Sequence, residues 1–271
     1  MEFISALLEY GFMQNAIIAC ILASIGCGII GSFIVVKRIS FLTGGIAHSV
    51  LAGMGIAYFY DSSPILGAIL AALVSGLLIG WINLRRKQNE DVLIAAFWSA
   101  GMALGILFLS RTPGYNIDLM SYLFGSILLI SKQDLILMLI LDLVVMAVTF
   151  MYYKQFLASV FDEEFARLRG INTEFFYMLL LCLISLSIVL LIQLVGVIMV
   201  IALLTLPAAI ANQYVFSLHK MFGLAALICM LLSLTGVAVS YQPDLPTGSV
   251  IVLLTCAAYF LSIFIHKKSN N

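Results

Sequence analysis

The chain has 271 residues, of which 63% are hydrophobic and only 10% are charged. A soluble globular domain carries about 25% charged residues, so this composition excludes an ordinary water-soluble fold and predicts a protein whose solvent is largely lipid. The 13 basic and 13 acidic residues balance. The chain therefore lacks the excess of positive charge that would indicate a nucleic-acid partner.

Nine apolar stretches come close to the roughly 20 residues that a helix needs to cross a bilayer. They cover residues 12–36, 43–60, 63–84, 91–110, 133–153, 175–193, 196–212, 221–240 and 249–265. The seventh is short and contains Pro207, which indicates a hinge, a kink or an incomplete crossing. We therefore expect an all-α, polytopic membrane protein of eight to nine transmembrane helices, forming a single domain over residues 1–271.

The basic residues predict the orientation of these helices. If the first stretch runs from outside to inside, eleven of the 13 Lys and Arg residues lie on the cytoplasmic side, and only Arg111 and Lys132 lie outside. Cytoplasmic loops of membrane proteins are enriched in Lys and Arg. The distribution thus places the N-terminus outside the cell and the C-terminus in the cytoplasm.

A histidine among small residues lies in the second stretch. At helical spacing, small residues form two adjoining stripes: Gly45, Ser49 and Gly53 in one, and Gly44 and Ala52 on either side of His48 in the other. A neighbouring helix could pack closely on such stripes, and the imidazole would have free space around it. Ionisable side chains inside a membrane are candidates for function. We interpret His48 as lining a pathway or contacting a metal; the alternative is a neutral imidazole bonded to a backbone carbonyl.

Asp142 is the only acidic residue well inside a predicted span. A carboxylate at that depth must be paired, neutralised or exposed to water. It is a second candidate metal ligand, although hydrogen bonds to hydroxyl groups of a neighbouring helix would explain it equally well.

The longest cytoplasmic connection runs from Lys154 to Glu174. Its acidic residues favour the N-terminus of a short helix, its arginines favour the last turn, and Gly170 favours the end. The acidic residues and the two that follow are Asp162, Glu163, Glu164, Phe165 and Ala166. Such a charged helix inside the cell predicts a binding partner.

Four stretches, 38–49, 122–128, 162–172 and 195–211, together resemble the permease subunit of the metal-ion ABC importers, which take up zinc, manganese or iron(II). The resemblance implies a type II importer permease in a bacterial cell membrane, with no covalently bound cofactor. It also implies a homodimer, two cytoplasmic ATPase subunits that bind the ATP, and an external metal-binding protein. The segment 162–172 would be the coupling helix that contacts the ATPase. The resemblance of its Asp-Glu-Glu-Phe-Ala sequence to family members favours zinc.

One position departs from the family pattern. Family members often carry an aspartate four residues before the motif histidine, where this chain has Gly44. A single imidazole is a poor metal site without further ligands. The chain contains no phosphate-binding loop of the form Gly-x-x-x-x-Gly-Lys-Ser/Thr, so we expect a transport subunit and no enzyme activity of its own.

Two other classes remain open from the residues alone. One is a secondary transporter driven by an ion gradient, with Asp142 and His48 as a proton relay. The other is an intramembrane enzyme, which is disfavoured because paired intramembrane aspartates and a His-Glu-x-x-His motif are both missing from the sequence.

Overall fold

The structure, a computed structural model, describes residues 10–86, 89–112, 125, 127, 130–197, 200–241, 243 and 245–269. Most of the 122–128 motif lies outside these residues. Within them the chain forms helices joined by short connections. The helices are α1 (Gly11–Lys37), α2 (Ser40–Phe59), α3 (Pro64–Arg86), α4 (Glu90–Arg111), α5 (Lys132–Met151), α6 (Tyr153–Phe161), α7 (Glu163–Leu168), α8 (Thr173–Val195), α9 (Val200–Tyr214), α10 (Leu218–Tyr241) and α11 (Thr247–Ser269).

Eight of the described helices are long and apolar enough to cross a membrane. The ninth apolar helix, α9, has only 15 residues and spans about 22 Å at 1.5 Å per residue, less than the roughly 30 Å of a bilayer core. Pro207 lies inside α9 without ending it. The predicted all-α membrane fold is confirmed. If the N-terminus lies outside and the C-terminus in the cytoplasm, as predicted, the number of crossings is odd, so the chain must also cross at α9.

The chain divides into two compact units, each made of separate stretches. The first unit contains Met1–Val35, Ser121–Met146 and Leu190–Asn271, and the second contains Val36–Met120 and Ala147–Val189. Thus α2, α3, α4, α6 and α7 belong to the second unit, together with most of α8. The first unit holds most of α1 and α5, and all of α9, α10 and α11.

Small residues allow α2 to pack closely between α3 and α4 in the second unit. A Cβ atom at Gly53 would collide with the carbonyl oxygen of Gly67 in α3, and one at Gly45 would lie 2.8 Å from the Ile94 side chain in α4. Ser49 faces Gly101 of α4, where a Cβ would lie 2.6 Å from the Ser49 Cα. Close backbone approach of this kind is typical of membrane helices, whose association depends on packing.

The helix α6 was not predicted from the sequence, which placed residues 154–161 in a connection. Phe156 is 1% exposed and packs edge-on against Phe176 of α8, with ring centroids 5.5 Å apart. Burial of an aromatic side chain against another helix stabilises this segment. Its apolar residues also recur at helical spacing, at positions 153, 156, 157, 160 and 161, a pattern that the sequence interpretation missed.

Candidate metal pathway and coupling segment

His48 lies in the third turn of α2 and is 5% exposed. Its ring stacks on the indole of Trp98 in α4, with centroids 4.1 Å apart and an interplanar angle of 16°. Among the described residues, its Nδ1 atom has no hydrogen-bond partner. A histidine with a purely structural role in a core normally donates or accepts through its ring nitrogens, so this nitrogen is left available for a ligand.

Trp98 was missed by the sequence interpretation. The indole covers one face of the imidazole and also packs against Phe41, with ring centroids 5.8 Å apart. One turn after Trp98, a Cβ atom at Gly101 would lie 2.9 Å from the carbonyl oxygen of His48. The close approach of α4 therefore brings the indole onto the ring. The sequence carried one signal for this contact, because Trp98 lies within an apolar span and three residues before Gly101.

Asp142 lies in α5, in the first unit, and is 2% exposed. Neither carboxylate oxygen has a hydrogen-bond partner within the described part of the chain. The carboxylate faces α1, where a Cβ atom at Gly26 would lie 2.9 Å from Oδ1. Among the described residues, no hydroxyl group of a neighbouring helix donates a hydrogen bond to Asp142, contrary to the alternative considered from the sequence. An unpartnered carboxyl group in an apolar interior is costly, which makes Asp142 a candidate for binding a cation or a proton.

The two candidate ligands fall in different units, His48 in the second and Asp142 in the first. The described residues contain no group of three or more His, Cys, Asp or Glu side chains that could hold a metal ion. Neither candidate is therefore part of a complete resident metal site within the ranges that the structure covers.

The predicted coupling segment forms a short, well-capped helix, α7. The Asp162 carboxylate accepts a hydrogen bond from the Phe165 backbone N–H at 2.9 Å, as an N-cap residue does. At the other end Gly170 has φ +78°. The N–H groups of Gly170 and Ile171 donate to the carbonyls of Arg167 and Ala166, both at 3.0 Å. This arrangement is a Schellman motif.

Exposed apolar side chains lie on α7 and at Phe161, the last residue of α6. Phe161, Phe165 and Leu168 are 61%, 48% and 85% exposed, respectively, whereas Ala166 is fully buried. Such residues at the tip of a connection between helices form a surface suited to protein contact. Glu163, at the start of α7, forms an ion pair with Lys37.

A model of the ABC 3 transport family matches residues 9–266. The chain belongs to this family. An uncharacterised membrane protein of Synechocystis is 44% identical over 256 residues, which make up 94% of this chain and 91% of that protein. The manganese transport system membrane protein MntC of Halalkalibacterium halodurans is 34% identical over 268 residues, or 99% and 92% of the two chains. A solved structure, PsaBC from Streptococcus pneumoniae in complex with Fab, matches with a TM-score of 0.89 and 31% identity, covering 97% of this chain and 95% of that one.

Family membership confirms the resemblance seen in the sequence. The chain is a multi-pass membrane permease of a bacterial metal transporter of the ABC type, and it is a transport subunit rather than an enzyme. The ion-gradient and intramembrane-enzyme alternatives are set aside on this ground.

Proposed function

We propose that this ABC 3 family permease imports a divalent transition metal, zinc, with energy from ATP. Two copies of the chain form the pathway, two cytoplasmic ATPase subunits drive it, and an external metal-binding protein delivers the ion. The N-terminus is outside and the C-terminus is in the cytoplasm, as the distribution of basic residues predicts.

His48 is the transient metal ligand of this proposal. The observation that carries this role is a buried imidazole whose Nδ1 has no partner among the described residues, held in place by its stack on Trp98. Asp142 is proposed as a second cation-binding group on the route, because its buried oxygens also lack partners in the described chain. A transport site must release its ion, so an incomplete set of ligands suits passage better than storage.

Zinc is favoured by the donor atoms. Imidazole suits zinc, iron and copper, whereas manganese prefers carboxylate, carbonyl and water oxygens. With Gly44 in place of the aspartate common in the family, the site loses an oxygen donor and keeps a nitrogen donor. Manganese is the second candidate, because the Halalkalibacterium relative is named as a manganese transport protein.

The coupling role of α7 is supported by its construction. Both ends of α7 are capped, and its apolar side chains Phe165 and Leu168 are exposed, as is that of Phe161 at the end of α6. A short rigid helix with exposed apolar residues fits a cleft in another protein. In this proposal that protein is the ATPase subunit.

Reconstitution tests the function directly. The permease and its ATPase are placed in vesicles, and the uptake of zinc, manganese and iron(II) is measured with and without ATP. We expect ATP-dependent uptake with zinc preferred, and His48→Ala should raise the half-saturating zinc concentration by about tenfold or more, as loss of a metal contact does. His219→Ala is the matched control, since His219 is an exposed histidine near the start of α10.

Three results would contradict parts of this proposal. Uptake without the ATPase would overturn the ATP-driven mechanism. A preference for manganese over zinc would overturn the assignment of the ion. If His48→Ala and His219→Ala behaved alike, His48 would be a structural residue.

A further inference from the structure

An ion pair joins the end of the first spanning helix to the coupling segment. Lys37 is the last residue of α1, and its Nζ lies 2.8 Å from Oε1 of Glu163, the first residue of α7. The Lys37 side chain is only 14% exposed, whereas that of Glu163 is 52% exposed. The ammonium group is therefore held against the protein, and the carboxylate reaches it from the more exposed helix.

A second contact fixes the position of the ammonium group. Lys37 Nζ lies 5.0 Å from the ring centroid of Tyr177 in α8, within the range of a cation–π interaction. Tyr177 is 8% exposed, and its hydroxyl accepts a hydrogen bond from Asn83 Nδ2 of α3 at 3.3 Å. Lys37 thus has two partners, one of which is anchored in the helices of the second unit.

The same lysine is separated by only two residues from the helix that carries His48. Only Arg38 and Ile39 separate it from Ser40, where α2 begins. Arg38 has φ +59°, in the left-handed region that non-glycine residues seldom adopt. With so short a connection, the position of the Lys37 side chain and the start of α2 are closely linked. His48 lies eight residues further along this helix, or about 12 Å at 1.5 Å per residue.

We propose that Lys37 is a positioning residue that connects α7, through the Lys37–Glu163 ion pair, to the start of α2, so that the orientation of the helix carrying His48 depends on the orientation of α7. This inference rests on the proposed contact between α7 and the ATPase. A movement that the ATPase imposes on α7 then reaches the candidate metal ligand by way of one ion pair and one two-residue connection.

The ion pair suits such a role better than a purely structural one. An exposed or half-exposed ion pair adds little to the stability of a protein, so its loss should leave folding intact. A coupling between two sites needs only a modest free-energy difference between states, and even the small end of that range changes an equilibrium about fivefold.

The test compares variants that remove or keep the ion pair in the reconstituted complex. We measure the maximal rate of zinc uptake, the half-saturating zinc concentration, the ATPase rate and assembly with the ATPase. Lys37→Gln should lower the maximal uptake rate about fivefold. The half-saturating concentration and assembly should be unchanged, because Lys37 lies outside the segment 162–172 that is proposed to contact the ATPase. Lys37→Arg should keep the wild-type rate, since it keeps both the pair of opposite charges and a cation beside the Tyr177 ring.

Arg85→Gln is the matched control. Arg85 is also a basic residue in the last turn of a spanning helix, α3, and is exposed. It should transport at the wild-type rate.

Several outcomes would overturn the inference. They are a Lys37→Gln variant that transports like Arg85→Gln, a Lys37→Gln variant that no longer assembles, and a Lys37→Arg variant that transports no better than Lys37→Gln. Failure of the proposed function is recognised separately, because the wild-type complex would then show no ATP-dependent zinc uptake at all.

Discussion

Replacing Gly101 with alanine tests whether close packing of α4 on α2 sets the position of His48. In the structure a Cβ atom at residue 101 would lie 2.6 Å from the Ser49 Cα and 2.9 Å from the His48 carbonyl oxygen. Carbon atoms in contact are normally about 3.5–4.0 Å apart. The two helices would therefore have to separate by about 1 Å at this point to accept one methyl group.

The separation has two measurable consequences. Overpacking of this kind costs about 1–3 kcal/mol, which corresponds to a fall of about 2–4 °C in the melting temperature for each kcal/mol in a protein of about this size. Trp98, one turn before Gly101, would move with α4 and lose its stacking distance of 4.1 Å to His48. A misplacement of about 1 Å at a functional group can cost up to about a hundredfold in rate.

The assay pairs thermal unfolding in detergent with zinc uptake by the reconstituted complex, and compares Gly101→Ala with Gly223→Ala. Gly223 lies in α10, where a Cβ would meet nothing within 4 Å. Alanine there should be neutral or slightly stabilising, because alanine favours the helix by about 0.5–1 kcal/mol over glycine. The reasoning is refuted if Gly101→Ala unfolds at the same temperature as Gly223→Ala and takes up zinc at the same rate.

Three further predictions follow from the same geometry. Trp98→Ala should raise the half-saturating zinc concentration severalfold while Trp98→Phe keeps it near the wild-type value, since an aromatic ring can still stack on His48; equal uptake curves would contradict this. Gly26→Ala should destabilise the protein by about 1–3 kcal/mol, measured by thermal unfolding, because the new Cβ would lie 2.9 Å from the Asp142 carboxylate; an unchanged melting temperature would be the contrary result. Gly170→Ala should weaken ATPase binding up to tenfold in a pull-down titration, since the strain at φ +78° costs about 1–2 kcal/mol. Gly170→Leu should bind the ATPase no more weakly than Gly170→Ala, since nothing lies within 4 Å of a Cβ there.

The helices could be predicted from the sequence because the bilayer fixes their length and composition. The stretch 12–36 became Gly11–Lys37, and 91–110 became Glu90–Arg111. In lipid every backbone polar group must be bonded within the segment, so an apolar run of about 20 residues has few alternatives to a helix. The ends of α7 were predictable for a similar reason, since its N-cap carboxylate and its terminal glycine act on neighbouring backbone groups.

The environment of the candidate site could not be predicted in the same way. His48 was identifiable as an ionisable residue in a span, but its stack on Trp98 joins two different helices. Lys37 and Glu163 are 126 residues apart in the sequence, and each has the ordinary appearance of a charged residue at a helix end. Which helix faces which depends on long-range packing, and a single sequence carries no signal of that.

The positions of Lys37 and Trp98 relative to His48 suggest how a weak ligand can still control transport. A lone imidazole binds a divalent ion poorly, so occupancy depends strongly on the placement of the ring relative to any other donor. Trp98 fixes the ring from the side of α4, and Lys37 connects the start of α2 to α7. A small rotation of α2 would therefore change the coordination of the ion without breaking a strong metal site, and this is what alternating access with rapid release requires.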